Sequence, residues 1–364
     1  MQYGRDIAMI CCMANPWKFL LPQLLVFLAG IALADAREPA ALNVSIAVFD
    51  PGVPAEQSLH RDLQVFPRIR EIEAMFLPFV LRETLANTNT WGAVRVVPAP
   101  DVAAELLVSG TIVQSDGENL KLRIRAVDAS GHIWLDRVFA GTVTDSYATR
   151  DDTYGSPGYW NLYEEIADNL RLARGLLDDK TLRNIGEISM LRYASQLAPS
   201  AFGDYLNAAA DGTFTIHRLP AGNDPMLERI ERIRGVEFVI TDAVDARYQE
   251  LHQEIASIYD LWREYRRKAV AYQMDDVQRV QSSRSDAPRG SYEAMKQLYD
   301  NYKSDRIIAQ EQDRLAVAFN NELGPKVAAM EARVAELEGW VDEQYAEWHR
   351  LLEELFEVET GLSP

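Results

Sequence analysis

The sequence predicts an α+β protein: a small α/β domain (strand, helix, strand, then a β-meander) followed by an all-α domain with long coiled-coil-like helices. Two observations predict this architecture. Between residues 42 and 145, apolar residues alternate with polar ones in several short segments, which is the period of a β-strand. Beyond residue 224, apolar residues recur every three and four positions over several heptads, which is the period of packed helices.

The predicted α/β domain spans residues 42–145 and opens with a strand. Val44, Ile46 and Val48 alternate along this segment, and Pro51-Gly52 ends it. A chain with period-2 apolar residues places them on one face of a sheet, where they can be buried. The segment is therefore predicted to be a core strand.

A helix, a second strand and three further strands complete this domain. Residues 66–88 carry apolar side chains at helical spacing, and Pro78 within them predicts a kink. Residues 91–97 predict a short strand. The turn pairs Asp116-Gly117 and Ser130-Gly131 separate three more alternating segments, which predicts a β-meander; these segments are residues 106–114, 120–128 and 133–141.

The order of these elements resembles the amino-terminal domain of the TolB translocation protein and the related domains of curli-secretion and penicillin-binding-protein-activator lipoproteins. The matching segments are residues 45–49, the strand 94–97 leading to Pro98, residues 104–110, and the turn after Asp128 that contains Gly131. The resemblance covers about a hundred residues. It implies a periplasmic protein-binding module, and it carries over no catalytic residue.

A connector region, residues 146–223, follows the sheet domain. Its first part is rich in Gly, Pro and aromatic residues, and helices are predicted at residues 159–179 and 182–197, with a lone strand at 213–219. Four aromatic residues near the connector either pin the two halves of the chain together or, if exposed, contact a protein partner or a glycan. They are Tyr154, Tyr159, Trp160 and Tyr163.

The long-helix region, residues 224–364, carries a heptad seam in two runs. A 3.5-residue period sustained over four or more heptads predicts coiled-coil packing. The seam residues include Leu251, Ile255, Ile258, Trp262, Val327, Val334, Leu337, Val341, Trp348, Leu351, Leu355 and Val358. Between the two runs, Tyr292, Met295, Tyr299 and Tyr302 are predicted to start another helix.

The seam has two interpretations. Because the two runs belong to one chain and a flexible break at residues 282–290 can reverse it, an intramolecular antiparallel hairpin or bundle is favoured. The alternatives are a homodimer formed through the helices, or docking of a partner helix on the seam. His252 stands beside the seam residue Leu251, in a run of polar residues from Glu250 to Glu254, and is predicted to lie on the solvated side of its helix.

The first 36 residues predict a cleaved secretory signal peptide. An apolar core from Phe19 to Leu33 follows Lys18 and ends at Ala34-Asp35-Ala36, so cleavage is expected after Ala36. Either Met1 or Met13 can be the start. The signal places the protein in the periplasm or outside the cell, with membrane attachment only if the leader is uncleaved.

Composition excludes several classes of function. The chain carries a net charge of −18, and removal of residues 1–36 leaves it unchanged; such a charge opposes binding to nucleic acid or to anionic lipid surfaces. Both cysteines, Cys11 and Cys12, lie in the leader, so the mature chain has no disulfide. The five histidines are scattered, without the spacing of a metal-binding helix.

No catalytic, cofactor or metal motif emerges from the sequence. The favoured function is therefore a non-enzymatic, exported scaffold or adaptor that binds envelope proteins. The alternative is a hydrolase acting on the cell wall or another glycan, with a site between the two halves and no linear motif. A titratable group with a shifted pKa in a deep pocket between the halves favours the hydrolase, and an exposed apolar patch favours the adaptor.

Overall fold

Five strands form one mixed sheet, as the computed structural model of the chain shows. The structure describes residues 41–62, 65–142, 159–282 and 324–360, and residues 291–293, 295, 296, 299, 302, 303, 306 and 310. The strands of the sheet are β1 (Val44–Ala47), β2 (Val94–Val97), β3 (Leu106–Ser115), β4 (Asn119–Asp128) and β5 (Ile133–Thr142).

The spatial order of the strands is β2-β1-β3-β4-β5. β1 pairs in parallel with β2 and β3, while β3, β4 and β5 pair antiparallel as a meander. The predicted strand–helix–strand unit and the predicted β-meander are thus confirmed. One face of the sheet is buried, because alternate residues such as Val108, Leu122 and Ile124 point into the core.

The turn between β3 and β4 is built by Asp116 and Gly117. Asp116 Oδ1 accepts hydrogen bonds from the backbone N–H groups of Glu118 (3.0 Å) and Asn119 (2.7 Å), and Gly117 has a φ of +93°, which favours glycine. A Cβ atom at Gly117 would lie 2.4 Å from the Cβ atom of Arg266. The tip of this hairpin therefore packs directly against the helix that contains Arg266.

The helices that accompany this sheet are numbered in chain order. They are α1 (Ser58–Asp62), α2 (Pro67–Asn87), α3 (Trp160–Gly175), α4 (Asp179–Leu197), α5 (Pro199–Phe202), α6 (Pro225–Ser282) and α7 (Gly324–Thr360). The predicted long helices are confirmed as α6 and α7, which makes the chain an α+β protein. Within the described residues, no helix is both long and apolar enough to cross a membrane.

Helix α2 lies between the sheet and the long helices. It contacts β1, β2 and β3 on one side and both α6 and α7 on the other. Its residues from Ile72 to Leu81 are all buried. Burial on every face is typical of a helix whose side chains are predominantly apolar on every face. The structure is therefore layered as sheet, α2 with α3, and the α6–α7 pair.

Helix α2 continues through Pro78, and the rest of the fold compensates for this residue. A proline has no N–H, so the carbonyl four residues earlier, that of Ala74, receives no bond from the helix. In the structure the backbone N–H of Phe49, just after β1, donates to Ala74 O at 2.9 Å. The strand end thus supplies the hydrogen bond that the helix lacks.

The edge strand β2 is covered by α6. The backbone N–H of Val96 donates to Asp245 Oδ1 at 2.7 Å, and Arg82 Nη2 of α2 donates to Asp245 Oδ2 at 2.9 Å. Burial raises the pKa of Asp245, while these two hydrogen bonds lower it. A carboxylate from a helix therefore takes the place of a neighbouring strand, which blocks further strand pairing at this edge.

Helices α6 and α7 form an antiparallel pair within the chain. Glu254 of α6 accepts two hydrogen bonds from Arg333 of α7, at 2.7 and 2.8 Å, and further back along α6 the Arg247 guanidinium lies 5.2 Å from the Trp340 ring. The residue numbers rise on one helix as they fall on the other. The intramolecular interpretation of the seam is therefore the observed one.

Most predicted seam residues are buried between the helices or against α2. Fully buried positions are Leu251, Ile255, Trp262, Val334, Leu337, Val341 and Trp348. Ile258, Val327 and Leu355 are partly buried and pack against the same clusters.

The seam prediction is wrong for the last turns of α7. Leu351 and Val358 are exposed, and Leu352 and Phe356 are buried in their place. A straight α-helix has 3.6 residues per turn and drifts away from a strict heptad. After Trp348 the buried face therefore advances by four residues at each step.

His252 is a second correction, because it is buried rather than solvated. Its ring stacks on Phe76 of α2, with 4.4 Å between ring centroids, and lies 4.8 Å from the ring of Phe79. No hydrogen-bond partner reaches its Nε2 atom among the described residues. Because burial penalises the charged ring, the pKa of His252 falls to about 4.

A cluster of ionisable groups is buried where α2, β3 and α6 meet. Glu73 Oε1 accepts hydrogen bonds from the hydroxyl groups of Ser115 and Tyr259, the latter at 2.7 Å, and the Arg70 guanidinium lies 3.9 Å from Glu73 Oε2. Burial raises the pKa of Glu73, while these two hydroxyls and the positive charges of Arg70 and Arg263 lower it. The hydroxyl groups therefore satisfy Oε1 of a carboxyl group that water cannot reach, whereas Oε2 has no hydrogen-bond partner among the described residues.

The segment predicted as a lone strand is half of a hairpin. Strand β7 (Phe214–Ile216) pairs antiparallel with β6 (Leu206–Ala208). The partner strand has only three residues, Leu206-Asn207-Ala208, which is too short for its alternation to distinguish a strand from a loop. This hairpin packs against α4.

Residues 41–364 form one compact unit. The predicted boundary near residue 145 and the predicted leader, residues 1–36, lie outside the described residues. The predicted boundary at residues 223 and 224 immediately precedes α6, which begins at Pro225.

His252→Leu is expected to reduce the loss of stability in acid. The unfolded chain binds a proton at His252 near pH 6.5, and the folded chain near pH 4, so stability falls as pH drops through this window. The wild type should lose about 2 kcal/mol more than the variant between pH 7 and pH 5, measured by urea unfolding. His217→Leu, at an exposed histidine, is the control; an equal pH dependence in all three proteins would contradict the prediction.

Tyr259→Phe is expected to destabilise the chain by about 1–3 kcal/mol, because it leaves the buried Glu73 with one donor fewer. Tyr163→Phe is the matched control, since the buried Tyr163 hydroxyl has no hydrogen-bond partner among the described residues. Its removal should leave the free energy of unfolding unchanged or raise it. Thermal or urea unfolding measures both, and similar losses in the two variants would exclude this role for Tyr259.

Candidate functional site

The aromatic residues of the connector lie mainly in the core. Tyr159 and Tyr163 are buried beside the Glu73 cluster, and the Arg263 guanidinium lies 4.5 Å from the centre of the Tyr159 ring. Trp160 is partly exposed, and Tyr154 lies outside the described residues. A partner could reach Tyr159 and Tyr163 only if α3 moved away from the sheet, so the two rings act in packing.

Burial changes the acidity of both phenols. It raises the pKa of Tyr159 and of Tyr163 well above the usual value, with the Arg263 charge opposing it in both cases. Both side chains are therefore neutral at any physiological pH. This fits a role in the core, because a neutral phenol can be buried without the cost of a charge.

Among the described residues, the most exposed aromatic side chains belong to the stretch of sequence that joins α6 to α7. We call Tyr292, Met295, Tyr299 and Tyr302 the tyrosine stripe; all four positions have helical backbone, and their exposed fractions run from 59% to 80%. Residues spaced by three and four positions share one face of a helix. These four side chains therefore present an apolar and aromatic surface to solvent.

Positive charges flank the tyrosine stripe. Lys296, Lys303 and Arg306 are exposed at helical positions in the same segment, and Arg306 Nη1 lies 3.5 Å from the Tyr302 hydroxyl. The same stretch, residues 291–306, also contains Glu293, Asp300 and Asp305, so it has no net charge in a chain whose net charge is −18.

A cavity of about 480 Å³ opens between the sheet and the long helices, within the size range of small-molecule sites. β1, β2 and the loop before β3 line one side of it, and α4, α6 and α7 line the other. The charged residues on its wall are Arg95, Asp101, Glu105, Arg234 and Glu237.

Tyr193 and Glu237 interact with each other on the wall of the cavity. Tyr193 is 6% exposed, and neither its hydroxyl nor Glu237 Oε2 has a hydrogen-bond partner of good geometry in the described part of the chain. Burial raises the pKa of Glu237, and the negative charge of Asp101 raises it further. The Tyr193 hydroxyl and the positive charge of Arg234 lower the same pKa. Burial and the adjacent Glu237 also raise the pKa of Tyr193.

The two arginines of the cavity already have partners. Arg234 Nη2 donates to Ala103 O and to Ser189 Oγ, both at 2.8 Å, and its guanidinium lies over the Tyr193 ring at 5.2 Å. Arg95 forms an ion pair with Asp242. Arg95 is therefore paired with a carboxylate, whereas Arg234 has neutral hydrogen-bond partners and keeps its positive charge beside Tyr193.

The carboxylates differ in how far they are engaged. Glu105 accepts from the backbone N–H of Asn43 at 2.7 Å and from Asn43 Nδ2 at 3.0 Å, so both of its oxygens are used. Asp101 uses Oδ1 to accept from the backbone N–H of Ala103 at 2.8 Å. The remaining hydrogen-bonding capacity is thus on Glu237, Asp101 and Tyr193.

Sequence reasoning did not single out this cavity. Tyr193 and Glu237 are 44 positions apart in separate helices, and Asp101 comes from a loop, so only the packing of α4 and α6 brings them together. None of them belongs to a spaced motif. Among the described residues, no group of three or more His, Asp and Glu side chains could hold a metal ion.

Comparisons of the chain with protein-family models, with curated proteins and with solved structures found no match.

Proposed function

We propose that the chain is a non-enzymatic scaffold or adaptor that binds a protein of the cell envelope through the tyrosine stripe. The exposure of four large apolar side chains on one helix face is the observation that carries the proposal. Tyrosine and methionine are enriched at the centres of protein interfaces. A contiguous exposed patch of such residues is typical of a docking surface.

The partner is expected to present an amphipathic helix. A helix can bury the stripe along its whole length, since anchors at intervals of three and four positions match those of another helix. The charges beside the stripe have both signs, with Glu293 at one end and Lys303 and Arg306 at the other, so they would select a partner helix whose charges have the complementary order.

Among the described residues, the seam between α6 and α7 leaves no such surface as far as Trp348. Its buried apolar residues are covered by α2, by the sheet or by each other. A homodimer formed through that seam would require the pair to open. Docking is therefore assigned to the tyrosine stripe and not to the heptad seam.

The location in the envelope is supported by two features of the sequence. Residues 1–36 have the pattern of a secretory leader, and residues 42–145 resemble periplasmic protein-binding domains. The adaptor would then act in the periplasm, with the sheet domain available for a second contact.

Photo-crosslinking tests the docking surface. A photoreactive amino acid at Tyr299 should crosslink to one defined envelope protein in intact cells, while the same residue at the exposed Glu231 of α6 should not. The captured protein is then purified and its binding measured directly. A product that forms equally from both positions, or that contains only a second copy of this chain, would contradict the proposal.

Tyr292→Ser combined with Tyr299→Ser is expected to weaken binding of that purified partner at least tenfold, because each removes a large apolar contact. Leu176→Ser is the matched control, since Leu176 is 88% exposed on another part of the surface. Isothermal titration calorimetry measures the three affinities. Equal affinities for the wild type and the double variant would rule out the stripe as the interface.

The hydrolase alternative has one observation in its favour. Glu237 is a carboxylic acid with a raised pKa, next to the second carboxylate Asp101, in a cavity between the sheet and the helices, and such pairs serve as acid and base in glycosidases. Purified cell-wall sacculi distinguish the two functions. Release of soluble fragments by the wild type, lost in Glu237→Gln, would favour the hydrolase.

A further inference from the structure

We propose that an exposed apolar patch, shared by the early turns of α6 and the last turns of α7, docks a basic amphipathic helix of another protein. The patch consists of Val236, Val239, Leu351 and Val358, whose exposed fractions run from 45% to 84%, and we call it the terminal patch. It is separate from the tyrosine stripe, and its role does not depend on the proposed adaptor function.

The antiparallel register of the two long helices places the patch on one side of the pair. The Arg247 guanidinium of α6 lies 5.2 Å from the Trp340 ring of α7, so these two positions border the same groove. Val236 precedes Arg247 by eleven residues, and Leu351 follows Trp340 by eleven. Eleven residues make about three helical turns. Val236 and Leu351 are therefore level with each other and border the same groove.

The last turns of α7 have two apolar faces, of which the chain covers one. Leu352 and Phe356 are buried, whereas Leu351 and Val358 are exposed. A helix at the surface of a folded chain needs only one apolar face, so packing within the chain does not account for the second. Leu351, Leu355 and Val358 keep heptad spacing, onto which another helix packs. The element that covers this face is therefore a helix.

The charges around the patch select a basic partner. Residues 347–360 contain five glutamates and one arginine, and the facing stretch of α6, residues 228–243, contains four acidic and three basic residues. Arg350 Nη2 lies 3.8 Å from Glu347 Oε1, and Arg350 Nε lies 3.9 Å from Glu354 Oε1. A second copy docked through the same patch would bring like charges together, whereas lysine or arginine beside a partner's apolar face would pair with these carboxylates. The net charge of −18 adds a long-range attraction for such a partner.

Small residues on the α6 side leave room for the backbone of a partner helix. Gly235, four positions before Val239, is exposed, and a Cβ atom there would contact nothing outside its own helical turn within 4 Å among the described residues. The packing of this chain therefore does not require a glycine that costs about 1 kcal/mol relative to alanine inside a helix. Glycine does permit close approach of another backbone. Ala243, four positions after Val239, is exposed as well.

Two matched peptides test the class of partner. The first has about three heptads, with leucine at the seam positions and lysine on both flanks, and the second carries glutamate in place of each lysine. The mature chain is titrated with each peptide at physiological ionic strength, and calorimetry measures the binding. The lysine peptide should bind saturably and at least tenfold more tightly than the glutamate peptide. Equal affinities, a preference for the glutamate peptide, or no saturable binding of the lysine peptide below about 1 mM would overturn the proposal.

Variants locate the binding on the terminal patch. Leu351→Ser combined with Val358→Ser should weaken binding of the lysine peptide at least tenfold. Leu172→Ser combined with Leu176→Ser, at exposed positions elsewhere on the surface, should leave it unchanged. Gly235→Gln fits the open space at that position, so it should weaken binding severalfold without lowering the free energy of unfolding, and it tests the patch even if the first variant fails to fold. Wild-type affinity in Gly235→Gln, or in a folded first variant, would refute the assignment.

Sedimentation velocity distinguishes a second copy from another protein as the occupant. The mature chain should form no dimer that the combined Leu351→Ser and Val358→Ser changes abolish. Such a dimer would make a second copy the occupant of the patch and would contradict the proposal.

Discussion

The burial of helix α2 on both sides is the constraint on which the rest of the structure depends. Because its apolar side chains face the sheet in one direction and α6 and α7 in the other, neither partner can be removed without exposing a hydrophobic surface. The ionisable cluster at Glu73 forms at the same junction, where α2, β3 and α6 meet. The sheet and the long helices therefore share one core.

Helix α6 connects the functional and structural features of the molecule along its length. Glu237 faces the cavity, Asp245 caps the edge strand β2, and Tyr259 reaches Glu73. At 1.5 Å per residue, these positions extend over about 33 Å. One straight helix thus sets the distance between the cavity, the sheet edge and the buried cluster, so a change in its register would disturb all three.

The sequence was sufficient for the five-stranded sheet and the long helices, but not for β6 or for the contacts between the elements. Period-2 alternation located β1 to β5, and heptad spacing located α6 and α7, because both patterns are local. A second buried face of α6, formed by His252, Ala256 and Tyr259, was not predicted, because only the heptad seam was expected to be buried. These three residues also have the spacing of three and four positions that is typical of a buried helix face. The cavity was out of reach, since Tyr193 and Glu237 meet only through tertiary packing.

The bond between Phe49 and Ala74 has a consequence for how the molecule assembles. An isolated helix with a proline at its centre is less stable than one without, because one of its carbonyl groups accepts no hydrogen bond from the helix itself. In α2 that carbonyl accepts a hydrogen bond only when Phe49, 25 residues earlier in the chain, packs beside it. Helix α2 is therefore not an independent nucleus, and its central turn should become stable in the same kinetic step that docks the first strand.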